Sequence, residues 1–170
     1  NNNFPNTINA ELAKPYYNDF FNDKYKLHCI LAIVSLLNLS IIEGQKVNGL
    51  YSASKEIIQI IAQNEKWIID FFLYLLKLLK LIGYEIEFNK NLPNQFFNLE
   101  TLQFEEAVSL KSVKFPHSLL KKNEKIDFEN VNSFFKIFEA ILQTNHLNNM
   151  NLAIPINYLN FKKIILNFLR

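Results

Sequence analysis

Glycine is nearly absent from this sequence, with 3 residues in 170. None of the Gly-rich loops that cradle nucleotide phosphates can be written with so few, and a turn-rich β fold is equally disfavoured. Cysteine occurs once, as Cys29, so there is no internal disulfide, which fits a reducing compartment. A zinc site would have to combine that cysteine with His28, His117 and His146, which lie far apart and lack metal-ligand spacing. An excess of one charge is missing too: 18 Lys and Arg face 16 Asp and Glu, a net +2 that by itself says little about nucleic acid. The most apolar run, Trp67 to Tyr84, is broken by Asp70, Lys77 and Lys80, whereas a membrane span needs about 20 largely uncharged residues. The first residues are polar and show no basic segment followed by an apolar one, so no signal peptide is read. The chain starts at Asn1 rather than Met and reads as a fragment whose N-terminal portion is missing.

What is present is bulk. Hydrophobic residues make up 49%, with 16 Phe and 7 Tyr, which suits packing between helices. A chain of this length is one domain, with at most a piece of a second. Asn1 to about Asn9 is polar and irregular; Glu11 to Phe21 is short and mixed, with Pro15 at a possible helix start. Asp23 is placed to cap a buried helix over Tyr25 to Ile42 that ends at Gly44 and Gln45. An amphipathic helix follows, with Leu50, Ala53, Ile57, Ile60 and Ile61 on one face and Ser54, Lys55, Gln59 and Gln63 on the other. In the run from Trp67, the residues Lys66, Asp70, Tyr74, Lys77 and Lys80 recur every three or four positions. They predict a central helix wet along one edge, with Gly83 as its left-handed C-terminal cap.

Pro93 and several Asn then break the helical pattern. Phe96 to Phe104 alternates roughly, as in a two-stranded hairpin turning near Glu100 and Thr101, which must lean on the helices to be stable. One helical turn is expected at Pro116 to Lys122. Asp127 caps a strongly patterned helix carrying Val131, Phe134, Phe135, Phe138, Ile141 and Leu142, with Glu129 complementing its dipole. A last helix follows Pro155, with Phe161, Ile164, Ile165 and Phe168 inside and Lys162, Lys163 and Arg170 outside. The fold class is therefore mainly α: a helical bundle with a small β-hairpin insert. Trp67 and Phe135 are expected in its core.

Chemistry is harder to find. Cys29 sits in the run Cys29-Ile30-Leu31-Ala32-Ile33-Val34, where a thiol is a small core residue rather than a nucleophile. The carboxylates Glu105 and Glu106, and Glu85 and Glu87, read as solvated edges, and no strand–nucleophile–helix elbow is present. An enzyme is the weaker class. Positive charge says more: Lys111, Lys114, Lys121, Lys122 and Lys125 crowd one segment, Lys77 and Lys80 edge the central helix, and Lys162 and Lys163 mark the last. An ordinary solvated surface accounts for such lysines, and so does a rim that holds phosphates or an acidic peptide.

The order of segments resembles a known family. The run Trp67-Ile68-Ile69-Asp70-Phe71-Phe72-Leu73-Tyr74-Leu75-Leu76-Lys77-Leu78-Leu79-Lys80-Leu81-Ile82-Gly83-Tyr84-Glu85-Ile86 is similar to the long helix of the bacterial RecO recombination-mediator proteins, which ends in a Leu-Gly-aromatic turn. Phe97 to Val108 looks like the hairpin of that family's zinc-finger-like insert. Phe134 to Leu147 resembles its next helix, with a His-Leu pair here written His146-Leu147. Leu31 to Gln45 and Tyr158 to Arg170 are similar to its first and last helices. The likeness runs from about Tyr25 to Arg170.

The resemblance implies a division into residues 1–24, a remnant of the exit from an N-terminal oligonucleotide-binding (OB-fold) barrel and a connecting helix, and residues 25–170, the helical C-terminal domain with its insert at about 86–115. Zinc-binding members carry four cysteines around the insert. This chain has none there, which implies a degenerate, metal-free knot held by Phe and Leu packing and no cofactor. The implied role is a non-enzymatic, cytoplasmic, nucleoid-associated mediator of DNA damage repair and homologous recombination. Such proteins bind single- and double-stranded DNA, anneal strands, contact the acidic, Phe-ended C-terminal tail of single-strand-binding protein, and load recombinase with RecR. Lys77, Lys80, Lys111, Lys114, Lys121 and Lys122 are the candidate contacts; Lys77, Lys80, Lys121 and Lys122 would rim the tail's groove. The alternative is a helical protein-interaction module with no nucleic-acid role, and the two part over salt-dependent DNA binding. A third reading, an enzyme completed by the missing N-terminal region, would require a deep polar pocket.

Overall fold

Asp23 starts the helix that follows it by accepting, through Oδ1, from the backbone N–H groups of Tyr25 (2.9 Å) and Lys26 (3.1 Å). In the computed structural model, which describes residues 20–41, 46–84, 96–120 and 126–170, this helix is α1, Lys24–Ser40. Its sequence-expected end at Gly44 and Gln45, like the segments before residue 20, lies outside the described residues. The helix α2, Leu50–Gln63, begins behind Gly49, whose φ of 83° lies in the left-handed region that favours glycine. Lys26 reaches across from α1 to donate to the Ala62 carbonyl (3.3 Å) in the last turn of α2, where a cation suits the helix dipole.

The helix α3, Ile68–Leu81, closes on Gly83 as its pattern predicts. The Tyr84 N–H donates to Leu79 O (2.8 Å) and the Gly83 N–H to Lys80 O (3.1 Å), with Gly83 at φ 96°. These are the paired bonds of a glycine-closed helix terminus. Asp127 caps α4, Phe128–Leu142, through the Asn130 N–H (2.8 Å). That helix runs on through a π turn, Gln143–Leu147, and a short turn, Asn148–Met150. Pro155 precedes α5, Ile156–Phe168.

Aromatic side chains join these helices. Phe71 of α3 meets Phe161 of α5 edge-on at 4.9 Å between ring centres. Phe72, one residue on, meets Phe134 (4.7 Å) and Phe135 (5.4 Å) of α4. Phe135 and Phe138 in turn enclose Tyr158 of α5. Helix α5 lies along α1, while α3 packs against α2, α4 and the 3-10 turn His117–Leu120. All six apolar positions read on α4 are buried, as are Trp67 and Phe135.

Several expectations need correction. The insert is a three-stranded antiparallel sheet in the order β2-β1-β3, not a two-stranded hairpin: β1 is Phe96–Asn98, β2 Phe104–Glu105 and β3 Ser112–Lys114. The turn between β1 and β2 does fall at 99–103, but β1 also pairs with β3, Phe97 opposite Val113. Ser54 and Tyr74, both assigned to wet faces, are buried between α2 and α3, where their hydroxyls lie 3.2 Å apart and Ser54 also donates to Leu50 O (2.8 Å). Two hydroxyls that satisfy each other can be buried at little cost. Lys162 is not outside but only 22% exposed, with Nζ 2.7 Å from both carboxylate oxygens of Glu139. Phe168, read as core, is exposed and touches Tyr25 edge-on. Helix α1 leaves Leu31 and Val34 in solvent.

Three buried titratable groups set an alkaline limit. Burial pushes the Cys29 thiol well above its usual 9.0. Burial likewise raises the Tyr158 phenol well above 10.0, with the nearby Glu139 carboxylate adding to it. Tyr74 is raised from 10.0 by burial, partly opposed by its Ser54 hydrogen bond, with a smaller upward contribution from Cys29. All three stay protonated in the fold while the unfolded chain releases its protons near the ordinary values. The unfolded state then binds fewer protons, so stability falls as pH rises through about 9 to 10, by up to ~1.4 kcal/mol per pH unit per group. Denaturant melts from about pH 7 to 11 should show a plateau and then this decline; a flat profile would contradict the burial of these groups.

Candidate partner-binding surfaces

Lys77 and Lys80 stand one turn apart on α3, both exposed. Beside Lys77 runs a shallow groove of about 210 Å³ between α2 and α3, floored by Ala53, Ile57, Ile60, Leu73 and Tyr74. Its rim carries both signs: Lys77 pairs with Glu56 at 3.2 Å, and Asp70 lies along the same edge. A pair this exposed contributes about 0–1 kcal/mol and opens readily to a better partner.

Lys111 and Lys114 belong to the insert. Lys111 pairs with Glu100 across the end of the sheet. Lys114, at the end of β3, shares a cleft of about 450 Å³ with Asp127, Glu129, Asn130 and Ser133 at the start of α4. The positive field here is weaker than the lysine count suggests. Lys121 and Lys122, with Lys125, lie outside the described residues. The structure thus brings Lys77 together with Lys80 on one helix, and sets Lys111 and Lys114 on a separate element.

The insert has its own internal fastening. Phe97, Phe104 and Phe115 form a chain of edge-on contacts (5.3 and 5.2 Å) that continues to His117 (4.7 Å). Asn98 fixes the turn, its Oδ1 accepting from the N–H groups of Glu100 (2.9 Å) and Thr101 (3.1 Å) and its Nδ2 donating to Glu105 (2.7 Å). Glu105, read as a solvated edge, is therefore a structural acceptor. Among the described residues no group of three His, Cys, Asp or Glu could hold a metal ion. A melt in excess chelator is expected to superimpose on one without it, since the sheet is fastened by rings and one amide; a downward shift in melting temperature would reveal a structural metal.

At the end of α4 the π turn carries His146 inward. Its Nε2 lies 3.2 Å from the Leu39 carbonyl and its Nδ1 3.2 Å from the Tyr84 hydroxyl. One imidazole therefore ties the ends of α1, α3 and α4 together.

Sequence reading noted the cations of the last helix but missed the surface they frame. Leu159, exposed on α5, and Leu166, half-buried at the edge of the core, floor a shallow groove of about 310 Å³ bordered by Lys162, Lys163, Asn167 and Arg170. Among the described residues no carboxylate side chain lines it. Lys162 is engaged by Glu139, and the Arg170 guanidinium sits over the Phe128 ring at 5.0 Å. The available signal was the spacing of Leu159 and Leu166, seven residues apart and interleaved with Lys163 and Arg170.

Among the described residues no helix is long and apolar enough to cross a membrane. Residues 22–93 match the family model "Recombination protein O C terminal". The match covers α1 to α3 and the Gly83 turn, and over these residues it bears out the resemblance read from the sequence. No curated protein and no solved structure matches the chain.

Proposed function

We propose, proceeding from the match to the C-terminal domain of recombination protein O, that this chain is a non-enzymatic, cytoplasmic mediator of DNA repair and homologous recombination. It acts by binding DNA and a protein partner, promoting strand annealing and recombinase loading together with RecR. The single observation that carries this reading is the family match over residues 22–93, a stretch that ends in the glycine-closed turn of α3 and the segment leading to the insert. In this proposal residues 25–170 form the helical domain and residues 1–24 the remnant of a connection to a barrel domain.

Lys77, Lys80, Lys111, Lys114, Lys121 and Lys122 are the proposed contacts with phosphates and with the acidic tail of single-strand-binding protein. The α5 groove joins them. An acidic tail that ends in an aromatic residue needs an apolar floor with cations and no competing carboxylate. The α2–α3 groove has the floor but shares its rim with Glu56 and Asp70, whereas the α5 groove has Leu159 and Leu166 beside Lys163 and Arg170. These features support α5 as the better electrostatic match.

Titration of a fluorescent peptide copying such a tail tests the proposal. Binding in the micromolar range is expected, weakened about tenfold or more by reversing one of three charge pairs: Lys77/Lys80, Lys121/Lys122 or Lys163/Arg170. The sensitive pair locates the groove. A folded sample that binds no peptide, or binds it equally well in all three variants, would overturn the tail contact.

A further inference from the structure

The loop between β2 and β3 holds two apolar side chains out in water, Val108 at 70% and Leu110 at 106% exposure. It does so on a braced frame. The Ser109 N–H donates to Ser112 Oγ (2.8 Å), Ser109 Oγ donates to Glu105 (3.1 Å), and the Ser112 N–H donates to the Ser109 carbonyl (3.2 Å). Glu105 is itself held by Asn98. A loop fixed in this way loses little conformational freedom on docking, so burial of its exposed side chains is not offset by ordering. Its surroundings are acidic: Glu105 and Glu106 flank the tip, and Lys111 is matched by Glu100. Carboxylates beside the tip are complementary to a basic partner surface. The occupant it fits is a protein groove with an apolar floor and a basic rim.

Such a groove is present on the same chain. The α5 surface offers Leu159 and Leu166 between Lys163 and Arg170, with no carboxylate side chain among the described residues that line it and about 310 Å³ of space. The full exposure of Leu110 shows that the loop is not seated in its own chain's groove. We infer that a second copy of this chain docks its Val108–Leu110 loop into the α5 groove, Glu106 facing Lys163 and Arg170. A single loop buries far less than the ~1,600 Å² of a standard stable interface, so the contact is weak and gains strength where copies are concentrated. It is also heterologous, one molecule's loop in the next one's groove, and propagates into short chains or rings instead of stopping at a two-fold dimer. The inference shares its groove with the tail contact proposed above but needs neither DNA nor tail.

Sedimentation velocity of the full chain alone, from about 10 µM to 1 mM at low salt, tests it. Growth with concentration to species beyond a dimer is expected, and it should weaken as salt is raised. Val108→Ser combined with Leu110→Ser should weaken association about tenfold without unfolding the chain, because neither side chain is part of the core. Glu106→Lys and Lys163→Glu should each weaken it, and the two mixed as separate proteins should associate again. A chain that stays monomeric throughout, or associates equally well with the loop variant, overturns the inference. Either result leaves the mediator reading standing, since no DNA or peptide is in the cell.

Discussion

Replacing Phe135 with alanine is expected to destabilise the chain by about 3–5 kcal/mol. Phe135 is fully buried and lies between Phe72 of α3, at 5.4 Å, and Tyr158 of α5, at 5.9 Å, both edge-on. Removing its ring therefore opens a cavity where three helices meet, and the neighbours are too large to collapse into it. The aromatic contacts are lost in addition to the transfer free energy of the ring. Lys162 adds to the cost: its Nζ lies 5.9 Å from the Phe135 ring while paired with Glu139, and both charges would face a void. The loss is a large share of the 5–15 kcal/mol that stabilises a typical domain. Equilibrium denaturant melts measure it. A change below about 1 kcal/mol would mean that the inner face of α4 is wrongly assigned.

Affinity for single-stranded DNA is expected to fall about 100-fold between 50 and 200 mM salt. The figure follows from counterion release: about four to five neutralised phosphates on single-stranded DNA give a slope near −3 to −3.5 in log–log form, and salt changes fourfold. Four candidate lysines, Lys77, Lys80, Lys111 and Lys114, are exposed among the described residues, and Lys121 or Lys122 would supply a fifth. Lys77 pairs with Glu56, and Lys111 with Glu100, through contacts exposed enough to exchange for a phosphate. Lys162 is committed to Glu139 in a partly buried bidentate pair and is not counted. An interaction module without a nucleic-acid role would show no such slope, because its contacts would release no condensed counterions.

The parts of the fold legible in the sequence are those fixed by local chemistry. Asp23 and Asp127 sit one residue before their helices and accept the orphan N–H groups there. Gly83 announces the end of α3 because few other residues adopt its backbone conformation without strain. The stripe from Val131 to Leu142 follows from helical period alone. The misses are all non-local. Ser54 and Tyr74 look polar one at a time, and only the packing of α2 on α3 makes them a satisfied pair. Strand β3 has one strong strand-former in Val113, and its place depends on pairing with Phe97, sixteen residues earlier.

The candidate surfaces were less legible still. A census of lysines counts charges, whereas the field at a surface depends on which of them face Glu56, Glu100 or Asp127, and those partners lie far off in sequence or on other elements. The α5 groove was hidden for a related reason. The apolar stripe of Phe161 and Ile165 marks the core face of that helix, so Leu159 and Leu166 at its flank read as background.

The measurement that bears most directly on the mediator role is fluorescence anisotropy of a labelled single-stranded oligonucleotide titrated with the chain across a salt series. Run beside Lys77→Glu with Lys80→Glu, and beside Lys111→Glu with Lys114→Glu, it reads both the slope and its origin. Binding with a steep negative slope, made shallower by about 0.7 for each phosphate contact removed, is the outcome that a DNA-binding mediator requires. No binding at about 50 mM salt by a folded sample, or binding whose affinity ignores both salt and the lysine reversals, would contradict it.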